Sequence, residues 1–406
     1  MDRRASILIA GAGPAGLAAA LYLLRDRPEL AGRIVAIDKA RHPRPKVCAG
    51  GLIPKTIASM RELGLSLEVP AIEVFSGNAR TEAGAIELPI RSEPLCTIVR
   101  RDEFDASLAH AAHERGLRIV EEARLIGVEQ NDSAVQVFTD KGAYQGAVLI
   151  GADGSGSRVR AAVFGRDKTN IGRALMADVP AQRSSPEFAQ RMYRFDFNCV
   201  SAGIRGYSWS FPCLIQGEPH LNIGIYDQCP RASVEPRQVK AGLCDALAAA
   251  FPECIPNSAT ARSYKAFPIR WYEACDQYAC MRTLLAGDAA GVDPLMGEGI
   301  STAFEHGKFA AFYAGRFLDG DKDALNHYNS ALHVETVGRK LRRLTFAADH
   351  FYGPRHRFYF RIAALSRIAQ QLGVDWYNGA RDMDKVSAPR MVGRWAWAIL
   401  SRKGVD

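Results

Sequence analysis

Ser6-Ile7-Leu8-Ile9-Ala10-Gly11-Ala12-Gly13-Pro14-Ala15-Gly16 is the stretch on which the fold turns. An apolar, β-prone run meets three glycines in the spacing G-x-G-x-x-G, and Leu17 to Arg25 continues as Ala/Leu-rich helix. Gly11 permits a tight turn, Gly13 lets the backbone approach a pyrophosphate, and Gly16 lets helix and strand pack closely. Ala12, Pro14 and Ala15 complete a turn whose amides, with the helix N-terminus, face bound phosphate. A second strand, Arg33 to Ile37, ends in Asp38, where a carboxylate can accept hydrogen bonds from an adenosine ribose, with Lys39 beside it. Strand, turn, helix and acid together predict a βαβ dinucleotide unit. They do not choose between FAD and NAD(P).

A chain of 406 residues, 48% of them hydrophobic, can bury a large core and suggests two domains or one elaborated one. The first strand begins only six residues in and glycine interrupts it, so no signal-peptide core is expected, and no apolar run approaches a membrane span. Nine cysteines without C-x-x-C pairs fit free thiols in a reducing compartment better than a disulfide framework or a metal site. A cytoplasmic location is the expectation. From Arg339 onward there are 14 Lys and Arg against five Asp and Glu, together with Trp376, Trp395 and Trp397. Such a tail suits an anionic membrane surface, an acidic partner protein, or simply a solvated helical face. No helix-turn-helix, zinc-finger or RNP pattern supports nucleic-acid binding.

After Asp38, the run Arg41-His42-Pro43-Arg44-Pro45-Lys46-Val47-Cys48-Ala49-Gly50-Gly51-Leu52 reads as a shaped loop, with Cys48 next to Lys46 and a flexible backbone. Arg101 stands just ahead of a helix that runs to about Glu114, with Asp102 as its expected N-cap, and could reach a phosphate, the flavin edge or a surface acid. Another buried strand, Ala147 to Ile150, ends in Gly151-Ala152-Asp153-Gly154. This is the sheet edge where ligands sit in open α/β folds, and Arg158 is placed to brace the turn.

From about Ala174 to Pro268 alternating strands predict an antiparallel sheet, interrupted by a helix near Pro236 to Ala250. In Tyr207-Ser208-Trp209-Ser210-Phe211-Pro212 the period of two puts Tyr207, Trp209 and Phe211 on one face, either as core packing or as the wall of an apolar cavity. The most specific stretch follows, Thr283 to Ile300. An apolar strand delivers Gly287-Asp288, and a loop through Pro294, Gly297 and Gly299 feeds a long helix from Ile300. Asp288 can accept from ribityl hydroxyls, and the amides at Gly297, Gly299 and Ile300 can stabilise negative charge on a reduced flavin.

Gly11 to Gly16 with Asp38, Asp153-Gly154, and Gly287-Asp288 through Gly299 resemble, in order over residues 5 to 320, the FAD-dependent oxidoreductases of the p-hydroxybenzoate hydroxylase-like fold. Lys46 to Leu52 and Tyr207 to Pro212 look like the K-x-C-(G/A)-G-G and Y-x-W-x-F-P signatures of the geranylgeranyl reductase family, with Ala49 in place of one glycine of the stricter form. The resemblance implies an α/β Rossmann-like FAD domain (1–70, 98–172 and 276–320), an antiparallel-sheet substrate domain (71–97 and 173–275) and a basic, aromatic helical region (321–406). It implies noncovalent FAD and reduction of isolated C=C bonds in a prenylated substrate. Cys48, Ala49, Gly50 and Gly51 then lie near the flavin, and Tyr207, Trp209 and Phe211 near the prenyl chain. An isolated alkene needs a proton as hydride adds, and Cys48, Tyr207 or an ordered water are the candidates. No second G-x-G-x-x-G follows a strand, so electrons are expected from NAD(P)H or a ferredoxin. A monooxygenase or halogenase of the same fold is the alternative, although halogenases carry W-x-W-x-I-P where this chain has Tyr207 to Pro212. A flavin-bearing scaffold is the non-enzymatic one.

Overall fold

In the computed structural model, which describes residues 3–88, 90–165, 170–228, 236–254, 264–274 and 276–377, the run of the opening motif forms strand Ile7–Ala10 inside a six-stranded sheet. The order is Ala279–Cys280, Thr283–Leu285, Val148–Gly151, Ile7–Ala10, Ile34–Ile37, Arg118–Val120. Every neighbouring pair is parallel except the first. Strands buried on both faces cannot alternate with polar residues, which is why Ile7 to Ala10 and Val148 to Ile150 are continuously apolar and at most 1% exposed. Helix Pro14–Asp26 packs on helix Ile300–Leu318 where Gly307 removes the obstacle. A Cβ there would stand 2.8 Å from that of Ala18 and 2.9 Å from the Ala15 carbonyl oxygen.

The second sheet has seven strands, in the order Lys265–Arg270, Ile171–Pro180, Glu218–Asp227, Gly206–Ile215, Met192–Asp196, Ser76–Thr81, Gly84–Leu88. It is antiparallel apart from Met192–Asp196 beside Ser76–Thr81, a parallel pair made because a distant segment of chain enters the sheet there. Its two faces are both covered, which period-2 patterning alone does not reveal. Leu175, Ala177, Ile223 and Ile225 pack with Leu243 and Leu247 of helix Pro236–Ala250 on one side. Tyr207, Trp209 and Phe211 face the other core with Tyr226, Tyr352 and Phe360.

Local expectations shift in places. Ala71–Val74, expected in the substrate sheet, pairs instead with Cys96–Val99, which also holds Gly51–Leu52, in a separate three-stranded sheet. Arg100, not Asp102, precedes helix Arg101–Glu114. Asp102 sits in the first turn, where its charge suits the helix dipole and pairs with Arg100 at 3.7 Å.

The C-terminal region is structural as well as basic. Helices Ala324–Val334, Thr336–Phe351, His356–Leu365 and Arg367–Tyr377 follow one another, and Ala348, Tyr352 and Phe360 are buried in the aromatic core. Lys340, one of the basic residues, is no solvated charge, since its ammonium meets the Glu305 carboxylate at 3.1 Å and Lys55 holds the other oxygen. These partners keep Glu305 down at about 2 despite burial. Trp395, Trp397 and the side chain of Trp376 lie outside the described residues.

Candidate active site

One cavity of about 900 Å³ runs from the glycine turn to the aromatic sheet. At the nucleotide end its wall includes Gly11, Gly13, Pro14, Ala15, Asp38, Lys39, Arg44 and Arg101. Gly11 adopts φ +99°, and a Cβ would fall 2.3 Å from the Ala152 oxygen; one on Gly16 would fall 2.0 Å from the Gly11 oxygen. Gly16 and Ala12 therefore lie behind the wall and build the turn. The Asp38 carboxylate accepts from the Ala12 N–H at 2.8 Å and the Ala40 N–H at 2.9 Å. Those two bonds fix the acid at the sheet edge and leave lone pairs for a further donor.

The opposite side is the Gly287–Ile300 loop. Asp288 takes a hydrogen bond from Ser155 at 2.9 Å, and its other oxygen lies toward Gly299. Gly287 (φ +61°) donates its N–H to Nδ1 of His306 at 3.1 Å. His306 is buried, Nε2 has no partner among the described residues, and desolvation brings its pKa down to about 4, so the ring is a neutral acceptor near pH 7. Asp293 holds the loop from inside, accepting from the Leu295 and Met296 amides at 2.7 and 3.2 Å. Burial, aided by Glu298, raises its pKa to about 7. Three tyrosines from outside the loop grip consecutive carbonyls: Tyr226 on Pro294 at 3.3 Å, Tyr352 on Leu295 at 2.5 Å, and Tyr207 on Met296.

At the far end the wall is aromatic. Tyr207, Trp209 and Phe211 share it with Tyr193 and Phe195 of the neighbouring strand and Phe197 just beyond it, with ring centroids 5.3 Å apart for Phe195 and Tyr207. Gly224 exists to make room, since a Cβ there would stand 2.1 Å from the Trp209 indole. The indole N–H donates to Asn222 at 2.9 Å, which donates to Asp178, which accepts from Arg100, so the ring's only polar atom is satisfied away from the cavity. Helices Thr336–Phe351 and His356–Leu365 add Phe351, Tyr359 and Phe360 to the same wall.

A model of the FAD binding domain matches residues 4–333. This chain belongs to the FAD binding domain family. Relatives of this flavoprotein include a menaquinone reductase of Mycolicibacterium smegmatis, 29% identical over 77% of this chain and 76% of that one. They also include a digeranylgeranylglycerophospholipid reductase of Methanoculleus marisnigri (25%, 86% and 87%) and a 3-hydroxybenzoate 6-hydroxylase of Aquipseudomonas alcaligenes (26%, 86% and 89%). A solved geranylgeranyl bacteriochlorophyll reductase-like protein from Thermoplasma acidophilum shares the fold, with a TM-score of 0.72 at 18% identity and coverage of 99% and 97%.

The flavoprotein's residues fit the cofactor its family binds. Arg44 reaches the turn, with Nη2 at 3.4 Å from where a Gly13 Cβ would be, and its buried Nε has no partner among the described residues, a donor suited to phosphate. Nothing lies within 4 Å of a Cβ on Gly154 or Gly156, so backbone there is open to a ligand. Arg101 lines the cavity, yet its guanidinium is committed bidentately to buried Asp105 at 2.8 and 2.9 Å, and Arg44 shares that acid at 3.3 Å. The ion pair is buried, not on the surface.

The Asp153 carboxylate is spent on Ser157 and on the Arg158 and Val159 amides, capping helix Arg158–Val163, because it sits where that helix exposes unpaired N–H groups. Asp153 and Gly154 both line the cavity, with the Asp153 carboxylate held by those bonds. The Arg158 backbone N–H ties that turn through Asp153, while Arg160 braces the neighbouring loop, donating to the Ala289 and Ala290 carbonyls and to Asp276. Tyr207 lines the cavity and directs its proton to the Met296 carbonyl, with a phenol pKa that burial pushes further up. Pro294 acts through its carbonyl from behind the wall.

Cys48, Ala49, Gly50 and Gly51 all line the cavity. Gly50 (φ +78°) is forced, for a Cβ would lie 1.9 Å from the Val99 oxygen, and its N–H approaches the Cys48 sulfur at 3.4 Å. Lys46 is a further wall residue. Its ammonium stands 3.0 Å from the Phe267 ring centroid, and burial brings its pKa down to about 8 although Asp288 opposes the shift. His306 gave no sequence signal, being one histidine on a helix. Arg44 and Lys46 lay in a quoted loop whose path only the fold reveals.

Proposed function

We propose that this flavoprotein is a reductase that saturates isolated C=C bonds in the polyprenyl chain of a quinone, lipid or pigment precursor. The observation that carries the reading is a single cavity in which the glycine turn, the Asp288–Gly299 loop and an aromatic sheet share one wall. A hydrocarbon chain is held by area rather than by hydrogen bonds, and Trp209 and Phe211 supply that area with no polar atom turned inward. Two relatives are reductases named for menaquinone and for digeranylgeranylglycerophospholipid. FAD, when bound, supplies the hydride. The chain's own part is to place the alkene, exclude water and provide a proton. Cys48 stays a candidate donor, and Lys46, with a pKa of about 8, holds a proton at neutral pH that it can release. NAD(P)H or a ferredoxin is the electron source consistent with a single dinucleotide motif.

The hydroxylase among the relatives keeps an oxygenase as the rival. Dithionite-reduced enzyme mixed anaerobically with prenylated quinone or geranylgeranyl lipid tests the two. The proposal expects flavin reoxidation and a mass gain of two hydrogens per bond. No reoxidation until oxygen is admitted, followed by hydroxylated or halogenated product, rejects it.

A further inference from the structure

Two of the helices that wall the aromatic end of the cavity have outer faces of unusual chemistry. On Thr336–Phe351, Arg339, Arg342 and Phe346 are exposed at spacings of three and four, so they share one face. On His356–Leu365 the exposed residues include Arg357, Phe358, Arg361 and Leu365, while Tyr359, Phe360, Ile362 and Ala363 line the cavity. Phe346, Phe358 and Leu365 are 54%, 59% and 77% exposed, and large apolar groups at such exposure are not what a solvated face selects. The faces adjoin through a run of rings: Phe346 to His350 at 3.9 Å, His350 to Tyr359 at 5.2 Å, Tyr359 to Phe358 at 5.3 Å. Between residues 336 and 367 the sequence holds eight Lys and Arg against one acid, Asp349, and Asp349 is paired with Arg205 at 3.0 Å. Lys340 is turned inward to Glu305 and Glu82 offsets Arg357 at 3.2 Å, so the positive charge of the face is carried by the exposed Arg339, Arg342 and Arg361.

We propose that these faces form one docking surface for an anionic lipid bilayer, bringing the helices that wall the cavity against the membrane so that a prenyl chain can pass inward. Arginines address lipid phosphates while phenylalanines enter at headgroup depth, and among the described residues no helix is long and apolar enough to cross. A partner held by charge alone, such as an acidic electron-transfer protein, gives no reason for three exposed apolar side chains. Passage of the chain rests on the reductase reading, whereas docking does not.

The test is sedimentation of the full-length, flavin-loaded protein with vesicles of phosphatidylcholine alone or mixed with phosphatidylglycerol. Binding is expected to the anionic vesicles and to weaken in about 0.5 M salt, where charges are screened within a few ångströms. The triple variant R339Q/R342Q/R361Q should lose partitioning by roughly 100-fold, and F346S/F358S should lose it at both salt concentrations. Both variants should keep the wild-type flavin spectrum and Tm, which separates lost docking from lost folding. Wild-type protein that stays in the supernatant, variants that bind like wild type, or binding only to an acidic protein partner would overturn the proposal. Vesicle binding without anaerobic turnover of prenyl substrates would leave docking standing and remove the reductase.

Discussion

Gly16 has no room for a methyl group, for its Cβ would lie 2.0 Å from the Gly11 carbonyl oxygen and 2.9 Å from the Ile9 side chain. Backbone cannot give way as a flexible side chain can, so G16A should cost about 3 kcal/mol and reduce flavin uptake, read from Tm and the yellow absorbance of the purified protein. His306 and Asp293 set opposite pH dependences. His306 falls from 6.5 to about 4 on folding, so its contribution is present above 6.5 and is lost as pH drops toward 4, by on the order of 3 kcal/mol. Asp293 rises from 3.8 to about 7, so its contribution is present at low pH and is lost as pH climbs through 7. H306N should flatten the acid limb of a Tm-against-pH curve, and D293N should steepen it. Tyr207 makes a third case. If it positions the loop, Y207F leaves the Met296 carbonyl unsatisfied, costs about 1–2 kcal/mol in stability and slows turnover less than tenfold. A loss of about 100-fold or more with unchanged Tm would instead make it the proton donor.

Among elements, the Pro294–Met296 segment is held by a sheet and a helix at once. Tyr207 and Tyr226 come from adjacent strands of the second sheet, and Tyr352 from just beyond helix Thr336–Phe351. The C-terminal helices are thereby coupled to the Gly287–Ile300 loop that lines the cavity. Y352F touches no residue of the nucleotide turn, yet should raise flavin loss on dilution by about fivefold, the equivalent of one hydrogen bond near 1 kcal/mol. Retention of flavin equal to wild type would show that the helix merely covers the loop. The alternation of Tyr207, Trp209 and Phe211 was legible because a strand has a period of two whatever surrounds it. Their partners were not, since Phe195, Tyr226 and Phe360 reach them by pairing and packing across the chain.

At the scale of the molecule, two sheets and the helices Thr336–Phe351, His356–Leu365 and Arg367–Tyr377 wall one elongated cavity, and Ala363 stands on the part contributed by the second of these helices. Under the reductase reading A363W should shorten the chain accepted, lowering kcat/KM for long polyprenyl substrates tenfold or more while sparing short ones, because an added indole fills space that only a long chain needs. Equal losses for all lengths would place the chain elsewhere. The sequence by itself determined the dinucleotide unit, the glycine-rich loop at Gly287–Gly299 and the aromatic strand, since each rests on glycine geometry, helix polarity or strand period within a short span of chain. Only the tertiary structure decided that Asp153 caps a helix, that Arg44 and Arg101 share Asp105, that three tyrosines grip one loop, and that a basic tail walls the cavity. Those outcomes depend on which donors and rings arrive at the same place after distant segments pack, and short-range spacing carries no record of that.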